Sequence, residues 1–178
     1  MIENHFPDAA VFDPQAVDPE TARFNLWLER LMALQPPGYT RTVQELRDEA
    51  ECGRDWMGPF RRLDEARNRV VSGQGRDVTV RVVIPPHVRG VYLHMHGGGF
   101  VLMRAYHYDE LLAAIARNST WAVVSVDYRL APEHPHPAAA DDCETVAAWL
   151  AENGEKEFGP VRLVIGGESA GDNLAVVS

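Results

Sequence analysis

The chain has 178 residues, of which 46% are hydrophobic and 24% charged, and this balance is typical of one globular domain with a sizeable core. The formal net charge of −9 argues against a nucleic-acid partner or an anionic membrane surface, since both favour a basic face. No stretch approaches the ~20 apolar residues of a membrane span, and the first residues lack the pattern of a signal peptide, so we expect a cytoplasmic protein.

The first 60 residues predict two helices. Asp18 can cap a helix that has Pro19 at its first position, and apolar residues follow at helical spacing. The Pro-Pro-Gly sequence at 36–38 ends this helix, and a second helix is predicted over residues 42–52. We expect residues 1–60 to form a small helical layer of their own.

Residues 61–178 predict a sheet flanked by helices. Two strands joined by a turn at residues 72–75 form a predicted antiparallel hairpin, and strands and helices then alternate. Such alternation, with apolar strands that are buried on both faces, predicts an α/β domain with a mostly parallel sheet. The predicted strands cover residues 67–71, 78–84, 90–95, 121–126 and 161–165, and the predicted helices cover residues 108–117 and 138–151.

A Gly-x-Ser-x-Gly motif, Gly167-Glu168-Ser169-Ala170-Gly171, lies between the last strand and a helix that begins near Asp172. In this context the motif forms a sharp turn that exposes the serine at the edge of a sheet. A serine must be exposed, held in place and next to a base before it acts as a nucleophile. The motif alone leaves the alternative of a glycine-rich turn whose serine has no role.

A glycine-rich loop, His96-Gly97-Gly98-Gly99, follows the strand that ends at Met95. Adjacent glycines let backbone N–H groups approach a ligand closely because no Cβ intervenes. The phosphate-binding loop of nucleotide-binding proteins is the main rival, but its Gly-Lys-Ser/Thr ending is absent. We interpret His96 and Gly97 as residues that position the loop.

A third motif, Asp127-Tyr128-Arg129-Leu130-Ala131-Pro132-Glu133, resembles a segment of the hormone-sensitive-lipase-like esterases of the α/β-hydrolase superfamily. All three motifs occur in that family's order, and the similarity extends from about Val78 to Ala175. The resemblance implies the α/β-hydrolase fold, a small acyl ester as substrate, and neither a metal nor an organic cofactor. It also implies that the two N-terminal helices are a cap over the acyl pocket.

The resemblance assigns roles to individual residues. Ser169 would be the nucleophile, and the N–H groups of Gly98, Gly99 and Ala170 would form the oxyanion hole. Asp172 stands where the family usually has a glycine, which raises the question of crowding between helix and strand. Asp127, Arg129 and Glu133 would belong to one buried, ion-paired network under the site.

The chain departs from the family because no histidine follows Ser169, whereas the family's catalytic Asp and His lie downstream of the serine. None of the seven histidines occupies a matching position. We therefore expect these residues to be an inactive, truncated part of a longer hydrolase, with the serine's strand at the edge of the sheet. Two alternatives stay open: a non-catalytic small-ligand-binding protein on the same scaffold, and an amide hydrolase.

Overall fold

The computed structural model describes residues 13–54, 58–160 and 162–178. Two helices precede a sheet whose last strands alternate with three further helices. In chain order the elements are α1 (Pro19–Ala33), α2 (Val43–Glu51), β1 (Ala66–Gly73), β2 (Arg76–Val83), β3 (Gly90–Met95), α3 (Asp109–Ser119), β4 (Trp121–Val126), α4 (Ala138–Phe158), β5 (Arg162–Gly167) and α5 (Ala170–Val177).

The sheet has the strand order β1-β2-β4-β3-β5. The β1–β2 hairpin is antiparallel as predicted, and its two-residue turn has positive φ at Gln74 (49°) and Gly75 (76°), which the turn of a twisted hairpin favours. β2 pairs antiparallel with β4, while β3 pairs parallel with both β4 and β5. The predicted α/β class is confirmed, and the sheet is mixed because β2 runs opposite to the other four strands.

The register of β3 and β5 determines where their loops begin. Met95 at the end of β3 pairs with Gly167 at the end of β5. Because the two strands are parallel and adjacent, the segments that follow them leave the sheet at the same edge, side by side. This register brings the glycine-rich loop next to the Ser169 motif.

The core lies on both faces of the four strands β1 to β4. Helices α4 and α5 cover one face, where Leu93 and Val124 are buried, and α3 covers the other, where Leu112 and Val123 are buried. The prediction of a buried strand over residues 161–165 is wrong for the described part of β5. Its central residues, Leu163, Val164 and Ile165, are 36–46% exposed because the strand lies at the end of the sheet; Val161 lies outside the described residues.

Capping residues mark the start of α1 and the end of α4. The Asp18 side chain accepts a hydrogen bond from the N–H of Glu20 at 2.8 Å, which confirms the predicted start of α1. The helix α4 extends to Phe158, past the predicted end at residue 151. It ends at Gly159, which has φ 84°.

Both cysteines are free, with Cys52 on the surface and Cys143 in the core. Within the described ranges, no helix combines the length and the apolar character needed to cross a membrane.

Candidate active site

Ser169 occupies a strained turn between β5 and α5. Its backbone has φ 55° and ψ −119°, a combination that costs a non-glycine residue about 1–3 kcal/mol. The side chain is exposed, and the hydroxyl makes no capping hydrogen bond to α5. The serine is therefore presented to solvent at the edge of the sheet where β3 also ends.

The two glycines of the motif allow α5 to approach β3. A Cβ at Gly167 would lie 2.3 Å from the carbonyl oxygen of Met95, and one at Gly171 would lie 1.9 Å from the same oxygen. Both distances are far below van der Waals contact, so any side chain would force the backbone apart. Asp172 is exposed, so the crowded position is Gly171 and not Asp172.

The glycine-rich loop turns sharply after His96. Gly98 has φ 115°, and a Cβ there would lie 2.2 Å from the carbonyl oxygen of Leu102. The N–H of Gly97 is bonded to the Glu168 carboxylate at 2.6 Å. Among the described residues, the N–H groups of Gly98, Gly99 and Ala170 have no hydrogen-bond acceptor.

Residues that are distant in sequence form hydrogen bonds with the segment that contains the glycine-rich loop. The Tyr128 hydroxyl donates to the His96 carbonyl at 2.6 Å, and the Ala131 N–H donates to the Phe100 carbonyl at 2.9 Å. Arg47, on α2, donates from Nε to the Val101 carbonyl at 2.9 Å and from Nη2 to the Ala131 carbonyl at 2.8 Å. The third motif and α2 thus support the loop directly. Arg47 belongs to no motif, so its role could not be predicted from the sequence.

His96 is buried inside the loop. Its Nδ1 donates to the Gly97 carbonyl at 2.7 Å, and its ring stacks on Tyr128 with centroids 4.1 Å apart. Burial lowers the pKa of His96 to about 4, so the ring is neutral at neutral pH. Its Nε2 has no partner among the described residues. These contacts suit a residue that positions the glycine-rich loop.

The predicted network of Asp127, Arg129 and Glu133 is wrong as a single buried cluster. Arg104 pairs with Asp127, Asp142 with Arg129, and Arg47 with Glu133, so each residue has a different partner. The Glu133 side chain is 52% exposed. Each pair attaches the segment after β4 to a different neighbouring element, which the sequence spacing could not reveal.

A cavity of about 500 Å³ lies between the N-terminal helices and the glycine-rich loop. Apolar side chains line most of it, and Gly98 contributes to its wall. Charged groups are present at Arg41 and Glu49, which form an ion pair with each other. Its wall includes Met32, Leu46, Gly98, Leu102, Met103 and Tyr108. Within the described ranges, no cluster of three or more His, Cys, Asp or Glu side chains is arranged to hold a metal ion.

The fold agrees with that of known proteins. Residues 92–178 match a family with the alpha/beta hydrolase fold. A solved esterase of Pyrobaculum calidifontis superposes on 84% of this chain and 50% of its own, with a TM-score of 0.68 and 31% sequence identity. The chain has the α/β-hydrolase fold. Its resemblance to the hormone-sensitive-lipase-like esterases is confirmed.

Proteins of known activity that resemble this chain include esterases. The carboxylesterase NlhH of Mycobacterium tuberculosis is 42% identical over 124 residues, which are 67% of this chain and 38% of NlhH. An arylesterase of Saccharolobus solfataricus is 30% identical over 119 residues, which are 65% of this chain and 39% of that protein. The chain thus spans well under half the length of these relatives.

Proposed function

We propose that this chain provides the nucleophile and the oxyanion hole of a serine carboxylesterase that acts on small acyl esters. One observation carries the proposal. The strained, exposed Ser169 leaves the sheet beside three backbone N–H groups that have no acceptor among the described residues. A carboxylesterase needs this combination of an exposed hydroxyl and fixed, unpaired donors.

The reaction follows from the roles of these groups. Ser169 Oγ attacks the carbonyl carbon, and the carbonyl oxygen becomes an oxyanion that accepts hydrogen bonds from Gly98, Gly99 and Ala170. Loss of one such donor costs about 2.7–4 kcal/mol of transition-state stabilisation. The bond to the alkoxy group then breaks, which releases the alcohol and leaves an acyl-serine for water to hydrolyse.

The proton of the Ser169 hydroxyl must go to a base, which is a histidine in enzymes of this type. His94 and His96 lie next to the loop, but both are buried and hydrogen-bonded to other groups. We propose that the catalytic histidine of the whole protein comes from outside these 178 residues, so the chain alone should be inactive. The acyl group would occupy the cavity beneath the N-terminal helices, which would act as the cap.

The test compares two samples, the 178-residue chain and the longest natural polypeptide that contains it. We expect the longer protein to hydrolyse p-nitrophenyl butyrate and the chain alone to remain at background. Ser169→Ala should lower turnover of the longer protein by about 10³-fold or more, whereas Ser72→Ala in the β1–β2 hairpin should not change it. Turnover that survives Ser169→Ala would refute the proposal.

The two alternatives give different results in the same samples. A non-catalytic ligand-binding protein would not react with a fluorophosphonate at Ser169, whereas the proposed enzyme should be labelled there and lose all activity. An amide hydrolase would cleave the corresponding p-nitroanilide at a rate comparable to the ester. We expect the ester to be cleaved much faster, because p-nitrophenolate leaves as an anion, whereas the anilide nitrogen must be protonated before its bond to the acyl carbon breaks.

A further inference from the structure

Glu168 joins the two loops of the candidate site. One carboxylate oxygen accepts the N–H of Gly97 at 2.6 Å, and the other lies 2.9 Å from Nε2 of His94. Glu168 immediately precedes Ser169, and Gly97 immediately precedes Gly98, the first proposed oxyanion donor. The carboxylate is therefore a direct connection between the nucleophile and the donors.

The sheet holds this carboxylate in position through His94. The ring of His94 is fully buried on β3, and its Nδ1 lies 2.8 Å from the hydroxyl of Ser125 on β4. An ionised carboxylate only accepts hydrogen bonds, so His94 Nε2 carries a hydrogen and donates a hydrogen bond to Glu168. The chain of contacts thus begins in the middle of the sheet and ends at the backbone of the glycine-rich loop.

The carboxylate is charged at neutral pH. Burial alone would raise the pKa of Glu168, but hydrogen bonds from His94, Gly97 and Tyr108 together outweigh burial and lower it. The same negative charge, together with burial, raises the pKa of the Tyr108 hydroxyl. A charged acceptor makes the 2.6 Å bond to Gly97 stronger than a bond between neutral groups.

We propose that His94 and Glu168 are positioning residues that set the N–H groups of Gly98 and Gly99 relative to Ser169. The inference rests on the proposed function. Glu168 binds the N–H of Gly97, which lies one residue before the proposed donors, so the carboxylate acts on these donors through the backbone. Oxyanion stabilisation depends on donors placed about 2.7–3.1 Å from the oxyanion, and a misplacement of about 1 Å costs up to about 10²-fold in rate.

The kinetic test uses the longest natural polypeptide that contains these residues. We expect Glu168→Gln and His94→Leu each to lower kcat for p-nitrophenyl butyrate by about 10- to 100-fold, with KM changed far less. Glu168→Asp and His94→Gln, which keep an acceptor and a donor, should recover part of the loss. The double variant should lose no more than the worse single variant, because both residues act through one carboxylate.

Two controls separate positioning from simple loss of folding. Rates are expressed per active site titrated with a fluorophosphonate, so that unfolded protein does not count. The exposed residues His87 and Glu155 supply matched substitutions, His87→Leu and Glu155→Gln, which should leave the rate unchanged. If Glu168→Gln and His94→Leu reduce only the number of titratable sites and not the rate per site, the two residues are merely structural and the proposal is wrong.

A spectroscopic test needs no activity and uses the 178-residue chain. The amide proton of Gly97 should resonate far downfield because of its short bond to a carboxylate, and it should move upfield in both Glu168→Gln and His94→Leu. An unchanged Gly97 amide would overturn the positioning inference even if the enzyme proposal stands. Conversely, a wild-type protein without Ser169-dependent turnover would overturn the enzyme proposal, while the Gly97 shift would still report the connection.

Discussion

The two loops of the candidate site are built in different ways. The turn around Ser169 is determined locally, since glycines at 167 and 171 let α5 pack against Met95 and the backbone bends within the motif itself. The glycine-rich loop is held by groups that are distant in sequence, including the hydroxyl of Tyr128 and the guanidinium of Arg47. The serine turn therefore depends on a few glycines at which no side chain fits. The conformation of the glycine-rich loop depends on several hydrogen bonds, each of which contributes part of its stability.

The largest effect is expected at Gly171. An alanine there would place Cβ 1.9 Å from the Met95 carbonyl oxygen, so α5 or β3 must move. We expect Gly171→Ala to lower the free energy of unfolding by about 3 kcal/mol or more, measured by urea denaturation. In the matched control, Gly154→Ala on α4, nothing lies within 4 Å of the added Cβ, and stability should rise by about 0.5–1 kcal/mol. Equal effects of the two changes would contradict a locally determined serine turn.

A smaller effect is expected at Tyr128, which supports the glycine-rich loop. Tyr128→Phe removes the hydroxyl that donates to the His96 carbonyl and leaves a buried carbonyl without this donor. The expected loss in the free energy of unfolding is about 1–3 kcal/mol, because Arg47 and Ala131 still hold the loop. Tyr39 is exposed, so Tyr39→Phe should change the same denaturation curve very little. If Tyr128→Phe lowered the free energy of unfolding as much as Gly171→Ala, the loop would depend mainly on this one hydrogen bond and not on several.

The backbone strain at Ser169 predicts a difference of about 1 kcal/mol in the free energy of unfolding between two variants. Both Ser169→Ala and Ser169→Gly remove the nucleophile, but only glycine adopts φ 55° without strain. We expect the glycine variant to be more stable than the alanine variant by about 1 kcal/mol, after the greater chain entropy of glycine is allowed for. If alanine is equally stable, the turn stores no strain.

The smallest effect concerns Glu168, which belongs to both loops. Its pKa in the folded protein lies below its ordinary value of 4.5, so its stabilising contribution is present above pH 4.5 and is lost as the pH falls through the folded pKa. The free energy of unfolding of the wild type should therefore converge on that of Glu168→Gln in acid. Because the carboxylate is 41% exposed, we expect a change of only a few tenths of a kcal/mol. If the free energies of unfolding of the wild type and of Glu168→Gln differed by a constant amount across this pH range, the Glu168 carboxylate would make no such contribution to stability.

The contrast between locally determined segments and segments held by distant residues explains which features could be predicted from the sequence. The strands β3 and β4 and the start of α1 depend on local patterns, so Gly90–Met95 and Trp121–Val126 agree with their predicted bounds. The turn at Ser169 is likewise a local motif. Partners such as Arg47 for Val101, or His94 for Glu168, are 54 and 74 residues apart in the chain, and no spacing rule relates them. The exposure of β5 also depends on its neighbours in the sheet and not on its own apolar sequence.

The pairing of Met95 with Gly167 has a consequence for how the length of such a chain can vary. The crossover through α3, β4 and α4 can gain or lose residues in its connections without moving either end of the site. An insertion of one residue within β3 or β5 would instead displace its loop by about 3.3 Å along the strand and turn every later side chain to the opposite face. Among homologous hydrolases, insertions and deletions should therefore collect between Gly99 and the start of β5 and be excluded from the two paired strands.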